Sequence, residues 1–181
     1  MQAHSITVLS AGLLASLSLP ANAGDKITGK NMDAQTLSEV SAVVPDKPSH
    51  SFKQLTLMWK STSPNPDFAN FWSSAVEQQD IVGPDTASKG YGTAHYPNGD
   101  VSYFSWEGAS KLTPKEAGAF EVAGQGKFAW TGGTGTHNLT GPGTYTCKFT
   151  QSGGGCDWQG EAENQSAAVG SSRAPSTTPN K

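Results

Sequence analysis

The chain has 181 residues, a net charge of −3 and an isoelectric point near 5.7. It offers no basic surface of the kind that neutralises phosphates, which argues against a nucleic-acid binder and against an electrostatic membrane binder. Glycine (21) and proline (11) are abundant, and charged residues make up only 15% of the chain, well below the roughly 25% of ordinary globular proteins. This composition favours one domain of short strands joined by many turns.

The N-terminal residues 1–23 predict a signal peptide. An apolar run over residues 6–19 precedes Pro20 and Ala21-Asn22-Ala23, whose small first and third residues suit signal peptidase. Because the run is shorter than the roughly 20 residues of a membrane span, we expect cleavage after Ala23, no membrane insertion of the mature chain, and a periplasmic or extracellular location. No Lys or Arg precedes the run, which leaves a buried N-terminal helix or an anchor as the alternative.

Cys147 and Cys156, the only cysteines, predict a disulfide. An even number of cysteines in an exported chain usually forms disulfides, and the turn-rich segment QSGGG between these two suits a hairpin. Pairing Cys147 with Cys156 sets Tyr145 opposite Trp158, a favourable aromatic cross-strand pair. Closing so short a loop should stabilise the fold by roughly 2–3 kcal/mol.

The first half of the mature chain predicts two strands and one short helix. Strands are expected around Thr36 to Val44 and from Phe52 to Trp59, where apolar and polar residues alternate. Asn65 suits a helix N-cap and Pro66 the first helical position, and the aromatic residues that follow recur at helical spacing. We therefore predict a short helix near 65–79, with a strand through Ser73 to Val82 as the alternative.

From Gly90 onward the strand signals are dense. Asn98-Gly99 is the strongest short hairpin signal, and the return strand places Phe104 and Trp106 on one face. Further strands are expected over 119–123 and 127–131, separated by a turn at Gly124-Gln125-Gly126.

About seven or eight strands at a spacing of roughly ten residues indicate a sandwich or an up-and-down barrel. Short sequential hairpins favour the antiparallel barrel, which we place over residues 24–163. Residues 164–181 are rich in Ser, Thr, Pro and Ala and predict a disordered tail.

No catalytic motif is visible. The loop from Gly132 to Gly135 lacks the helix that a phosphate-binding loop requires, so a turn or bulge is favoured. His95 could meet Asp100 or Glu107 as a general acid–base pair, but exposed polar residues are usual at a hairpin end. Two cysteines and three scattered mature histidines give a metal site little support, and no cofactor is predicted.

The aromatic residues carry the most functional potential, because inward-facing rings in a small barrel either fill its core or line an apolar pocket. The pocket-lining candidates are Phe104, Trp106, Phe128, Trp130, Tyr145 and Trp158.

One stretch resembles a known family. The pattern FxWTGGTGxxxxLTGPGTYTC (Phe128 to Cys147), preceded by the hairpin NGDVSYFSWEG, resembles the strand-turn-strand of the allene oxide cyclase and dirigent barrels, and it is similar to small secreted bacterial proteins with that signature. The resemblance implies an eight-stranded antiparallel barrel whose cavity holds apolar or phenolic ligands. It matches none of the plant enzymes' polar pocket residues.

Two functions follow from these observations. The first is an exported barrel that binds a small apolar or aromatic ligand, or a partner. The alternative is an isomerase or cyclase that acts by confining a reactive intermediate, which needs a polar group inside the cavity. Glu107 and Tyr103 are the candidates if their face points inward, whereas inward-facing Phe104 and Trp106 predict a dry interior that favours binding.

Overall fold

The structure, a computed structural model, describes residues 24–165. The predicted signal peptide and residues 166–181 of the predicted tail lie outside the described residues. Eight antiparallel strands follow one another in sequence around a closed barrel, which confirms the predicted fold. The strands are β1 (Asp25–Val43), β2 (His50–Thr62), β3 (Phe71–Val82), β4 (Asp85–His95), β5 (Val101–Pro114), β6 (Phe120–Gly133), β7 (Leu139–Thr150) and β8 (Gly153–Asn164).

The β7–β8 hairpin has the predicted register. Cys147 pairs with Cys156 and Tyr145 with Trp158, and the two cysteines form a disulfide with their Cα atoms 4.0 Å apart. The Asn98-Gly99 turn also forms as predicted, with Gly99 at φ +88°. Local signals were sufficient at both places because the partners lie within a few residues of each other.

The predicted helix near 65–79 is wrong beyond its first turn. Asn65 caps a 3-10 helix that covers only Pro66–Phe68, and the chain then enters β3, which corresponds to the alternative interpretation. Between β2 and β4 the backbone of this segment gains a full set of ladder partners, which outweighs a weak local helix preference. The helical spacing of the aromatic residues is therefore incidental to the fold.

The turn predicted at Gly124-Gln125-Gly126 is also wrong, because these residues lie inside the continuous strand β6. Neither glycine has a positive φ. Their missing side chains serve packing instead: a Cβ on Gly126 would lie 2.5 Å from the Tyr145 hydroxyl. Gly126 provides space for the Tyr145 ring, whereas a Cβ on Gly124 would meet Ser110.

The same arrangement recurs around the barrel. An inward-facing aromatic ring covers an inward-facing glycine of another strand, so that a Cβ on the glycine would collide with the ring. These pairs are Trp158 over Gly29, Trp106 over Gly90, Phe104 over Gly92, Tyr145 over Gly108 and Gly126, Phe128 over Gly143, and Trp130 over Gly160. Glycine weakens a strand by itself, and the covering ring shields the exposed backbone and recovers buried apolar area.

The two ends of the barrel differ. At one end, the loops β2–β3, β4–β5 and β6–β7 place Phe68, Tyr96 and His137 across the barrel axis, and all three side chains are buried. We call these three residues the plug. At the other end, none of the residues in the four loops 44–49, 83–84, 115–119 and 151–152 is buried. This second end is the open end.

Candidate functional site

The barrel encloses a cavity of about 230 Å³. Aromatic side chains dominate its wall: Trp59, Phe71, Phe104, Trp106, Phe128, Trp130, Tyr145, Phe149 and Trp158. The exposed residues Met32, Ala34 and Gly154 also line it, so the cavity reaches the surface away from the plug. An apolar cavity of about 150 Å³ holds one benzene molecule, and this space therefore suits a substituted single ring.

All six pocket-lining candidates from the sequence lie on the cavity wall. The strand alternation that brings Phe104 and Trp106 inward turns Tyr103 and Glu107 outward, and both of those side chains are exposed. The expected polar candidates are thus not in the cavity. Ligand binding by the six aromatic residues stays a prediction.

The interior nevertheless contains a carboxyl group, which the sequence analysis missed. Glu77 lies on β3 in register with Leu55 of β2 and Gly90 of β4, and its side chain lines the cavity. Burial raises the pKa of Glu77, while hydrogen bonds from Gln79 and Ser88 act in the opposite direction. The Gln79 amide Nε2 donates to Glu77 Oε1 at 3.1 Å. Choosing the strand over the helix for this segment would have revealed Glu77, because it alternates inward with the buried residues Ser73 and Ala75.

Tyr145 connects to this carboxyl group from the opposite wall. Its ring extends across Gly126 and Gly108, so that a Cβ on Gly108 would lie 2.2 Å from the tyrosine hydroxyl. The hydroxyl thereby reaches Ser88, the serine that also bonds to Glu77. Burial raises the pKa of Tyr145, and the Ser88 hydrogen bond lowers it. Because Ser88 can accept from the tyrosine while it donates to the carboxylate, Ser88 can link the Tyr145 hydroxyl to the Glu77 carboxyl group.

Trp158 supplies a free donor. The indole Nε1 is buried and has no hydrogen-bond partner in the part of the chain that the structure describes. Buried donors are usually satisfied, and Trp158 is part of the cavity wall. The Nε1 atom is therefore an unsatisfied donor buried within the wall.

His137 belongs to the plug and is not available as a base. Its ring stacks on Tyr96 with 3.5 Å between centroids, and Nε2 lies 3.0 Å from the backbone carbonyl of Asp67. Since a carbonyl can only accept, Nε2 carries the hydrogen. Nδ1 lies 3.3 Å from Asp100 Oδ2. Both ring nitrogens therefore face groups of the protein and fix the loops to one another.

The Gly-rich loop after β6 binds the carboxylate of Asp100. The backbone N–H and hydroxyl of Thr136 donate to Asp100 Oδ2 at 2.9 and 2.8 Å, and these bonds, with the contact to His137, lower the pKa of Asp100. Gly132, at φ +138°, lies at a register irregularity between β5 and β6, as a bulge requires. The loop is therefore structural.

His95 does not form the predicted type of pair with Asp100 or Glu107. It stacks on Trp72 with 3.8 Å between ring centroids, and burial lowers its pKa. Its closest hydrogen-bonding group is the Ser74 hydroxyl, 3.3 Å from Nε2. An acid–base site at this hairpin is not supported.

The outer half of β1 is the second notable surface. β1 pairs with β8 only from Asp25 to Asn31, so within the described structure its later residues have a neighbouring strand on one side alone. Leu37, Val40 and Val43 are exposed there. Unpaired edges with apolar side chains are places where another chain can add a strand.

Within residues 24–165, no group of three or more His, Cys, Asp or Glu side chains is placed to hold a metal ion. No helix in that part of the chain is long and apolar enough to cross a membrane. Comparison with known protein-family models, with curated proteins and with solved structures gives no match.

Proposed function

We propose that the barrel binds a small apolar or aromatic ligand in its cavity. The observation that carries this proposal is the shape of the interior, which is closed by the plug at one end, lined by aromatic rings and open at the other end. Ligand sites are typically concave and apolar with a few polar groups that fix orientation. The polar groups on this wall include the Glu77 carboxyl and the Tyr145 hydroxyl, together with the side chains of Asn31, Ser61 and Ser73.

The test is a titration with tert-butylbenzene, a neutral single-ring probe, followed through tryptophan fluorescence and the indole N–H signals in NMR spectra. We expect saturable one-to-one binding. Trp106→Ala removes part of the wall and should change the affinity by about fivefold or more, which corresponds to about 1 kcal/mol of binding free energy. The matched control is Trp72→Ala, because Trp72 is 44% exposed outside the cavity. No saturable binding up to the solubility limit of the probe would contradict the proposal.

A second candidate, an isomerase or cyclase that acts by confinement, is favoured by one observation. Such an enzyme needs an internal polar group, and the Glu77–Ser88–Tyr145 chain provides one. The sequence resemblance to allene oxide cyclases and dirigent proteins favours the same alternative. If it is right, Glu77→Gln and Tyr145→Phe should abolish turnover of a reactive substrate and still permit its binding.

We further propose that the protein acts outside the cytosol. Disulfides such as Cys147–Cys156 are typical of oxidising compartments, and the N-terminal sequence fits an export signal. N-terminal sequencing of protein from its natural host should begin at Gly24. Recovery of cytosolic protein that begins at Met1 would contradict export.

A further inference from the structure

Glu77 differs from every other residue that lines the cavity. It is the one charged side chain on the wall of a cavity otherwise built from aromatic, aliphatic, thioether, disulfide, hydroxyl and amide groups. Among the described residues 24–165 it forms no ion pair with a lysine, an arginine or a histidine. A buried carboxylate without a positive partner is costly. When ionised, Glu77 therefore has no counter-charge among the described side chains.

Aromatic rings of the cavity wall lie on the side of the barrel that carries Glu77. Gly90 pairs with Glu77 on one side and with Trp106 on the other, and the Trp106 ring lies over the glycine. The rings of Trp59 and Trp106 meet edge to face at 6.1 Å, and Trp59 meets Phe104 at 6.0 Å. Aromatic faces attract cations through the quadrupole of the ring, and several rings together form the cages that hold quaternary ammonium groups.

Building on the ligand-binding function proposed above, we propose that the ligand is a small organic cation, an ammonium group on an apolar body, with its charge against Glu77, Trp59 and Trp106. A cation supplies the missing partner for the carboxylate, and its apolar body fills the remaining aromatic space. An anionic ligand would be repelled by Glu77, and a neutral one would leave the carboxylate without a counter-charge.

The experiment compares two probes of nearly identical shape, phenyltrimethylammonium and tert-butylbenzene, by isothermal titration calorimetry near neutral pH. We expect the cation to bind the wild-type protein about tenfold more tightly or better. Glu77→Gln keeps the shape of the side chain and removes its charge, so it should weaken binding of the cation by about tenfold and leave binding of the neutral probe unchanged or stronger. Glu107→Gln is the control, because that carboxylate lies on the outer face of β5.

The outcomes separate this inference from the function on which it rests. If neither probe binds the wild-type protein, the proposed cavity function fails and this inference fails with it. If the neutral probe binds as tightly as the cation, or if Glu77→Gln binds the cation as the wild type does, the barrel remains a binding protein and the ammonium ligand is ruled out. Equal weakening by Glu107→Gln would assign the preference to overall charge and would also overturn the inference.

Discussion

The two ends of the barrel are built from strands with the same alternating pattern, and yet one end is a packed core and the other a cavity mouth. At the plugged end, Phe68 meets Tyr96 and His137 edge to face at 5.7 and 5.3 Å. At the open end, none of the loop residues is buried, and exposed residues line the mouth of the cavity. The loops therefore decide whether the aromatic interior of this barrel is filled or left accessible.

The largest expected loss of stability comes from a residue in the packed core next to the plugged end. Trp130 is 7% exposed and packs against Phe128 and Trp158, so Trp130→Ala should lower the free energy of unfolding by about 3–5 kcal/mol. Trp106→Ala, on the half-buried cavity wall, should cost less than about 3 kcal/mol. Urea denaturation of the two variants measures the difference. Equal losses would show that the middle of the barrel is as tightly packed as the plugged end.

A second prediction concerns the plug itself. His137→Ala removes a buried ring that stacks on Tyr96 and bonds to the Asp67 carbonyl, and it should destabilise the protein by about 2–4 kcal/mol. His95→Ala alters a histidine outside the barrel and should stay within about 1 kcal/mol of the wild type. Thermal and urea unfolding of both variants would check this order. A His137→Ala protein with wild-type stability would show that the plug is not a cooperative part of the core.

The third prediction addresses the glycines beneath the aromatic rings. A methyl group at Gly126 would collide with the Glu107 backbone oxygen and with the Tyr145 ring, so Gly126→Ala should cost about 1–3 kcal/mol. Gly124→Ala is the matched control on the same face of β6, where the nearest atom would be the Ser110 Cβ at 2.9 Å, and it should cost less. Gly126→Ala should also shift the titration of Tyr145, since the hydroxyl loses its position near Ser88. The two variants would be equally stable if turn formation were the role of these glycines.

The smallest expected effect concerns Glu77, which lines the cavity and should make the free energy of unfolding depend on pH. Its pKa is raised in the folded state, so the folded protein holds the proton more tightly than the unfolded chain. The free energy of unfolding therefore loses a contribution as pH rises from the ordinary value of 4.5 through the raised pKa. Glu77→Gln should be more stable than the wild type at neutral pH, by roughly 0.5–2 kcal/mol.

Urea denaturation of the wild type and Glu77→Gln across this pH range would check the sign. The difference between the two proteins should grow as pH rises, and other titrating groups cancel in that difference because both proteins contain them. A constant difference would show that the Glu77 carboxyl group is solvated at the open end in the same way as in the unfolded chain.

Contacts between residues close together in the chain could be predicted, whereas contacts between distant residues could not. The β7–β8 hairpin, with Cys147 opposite Cys156, was predictable because its partners lie nine residues apart and a short turn fixes their register. The segment after Asn65 was misread because its local signals for a helix start were correct for only one turn. The strand that follows is decided by neighbours on β2 and β4 that no local pattern reveals.

The sequence by itself determined the barrel, the disulfide and the alternation that brings Phe104, Trp106, Phe128 and Trp130 to one face, because these depend on side-chain period and on short hairpins. Only the tertiary structure decided that one end is plugged by Phe68, Tyr96 and His137. Barrel closure likewise brings Glu77 of β3, Ser88 of β4 and Tyr145 of β7 together, although Glu77 and Tyr145 are far apart in the chain. One of its hydrogen bonds, from Gln79, lies within β3, but the Ser88 bond comes from β4 and the cavity wall around the carboxyl group from other strands, so its role became visible only in the closed barrel.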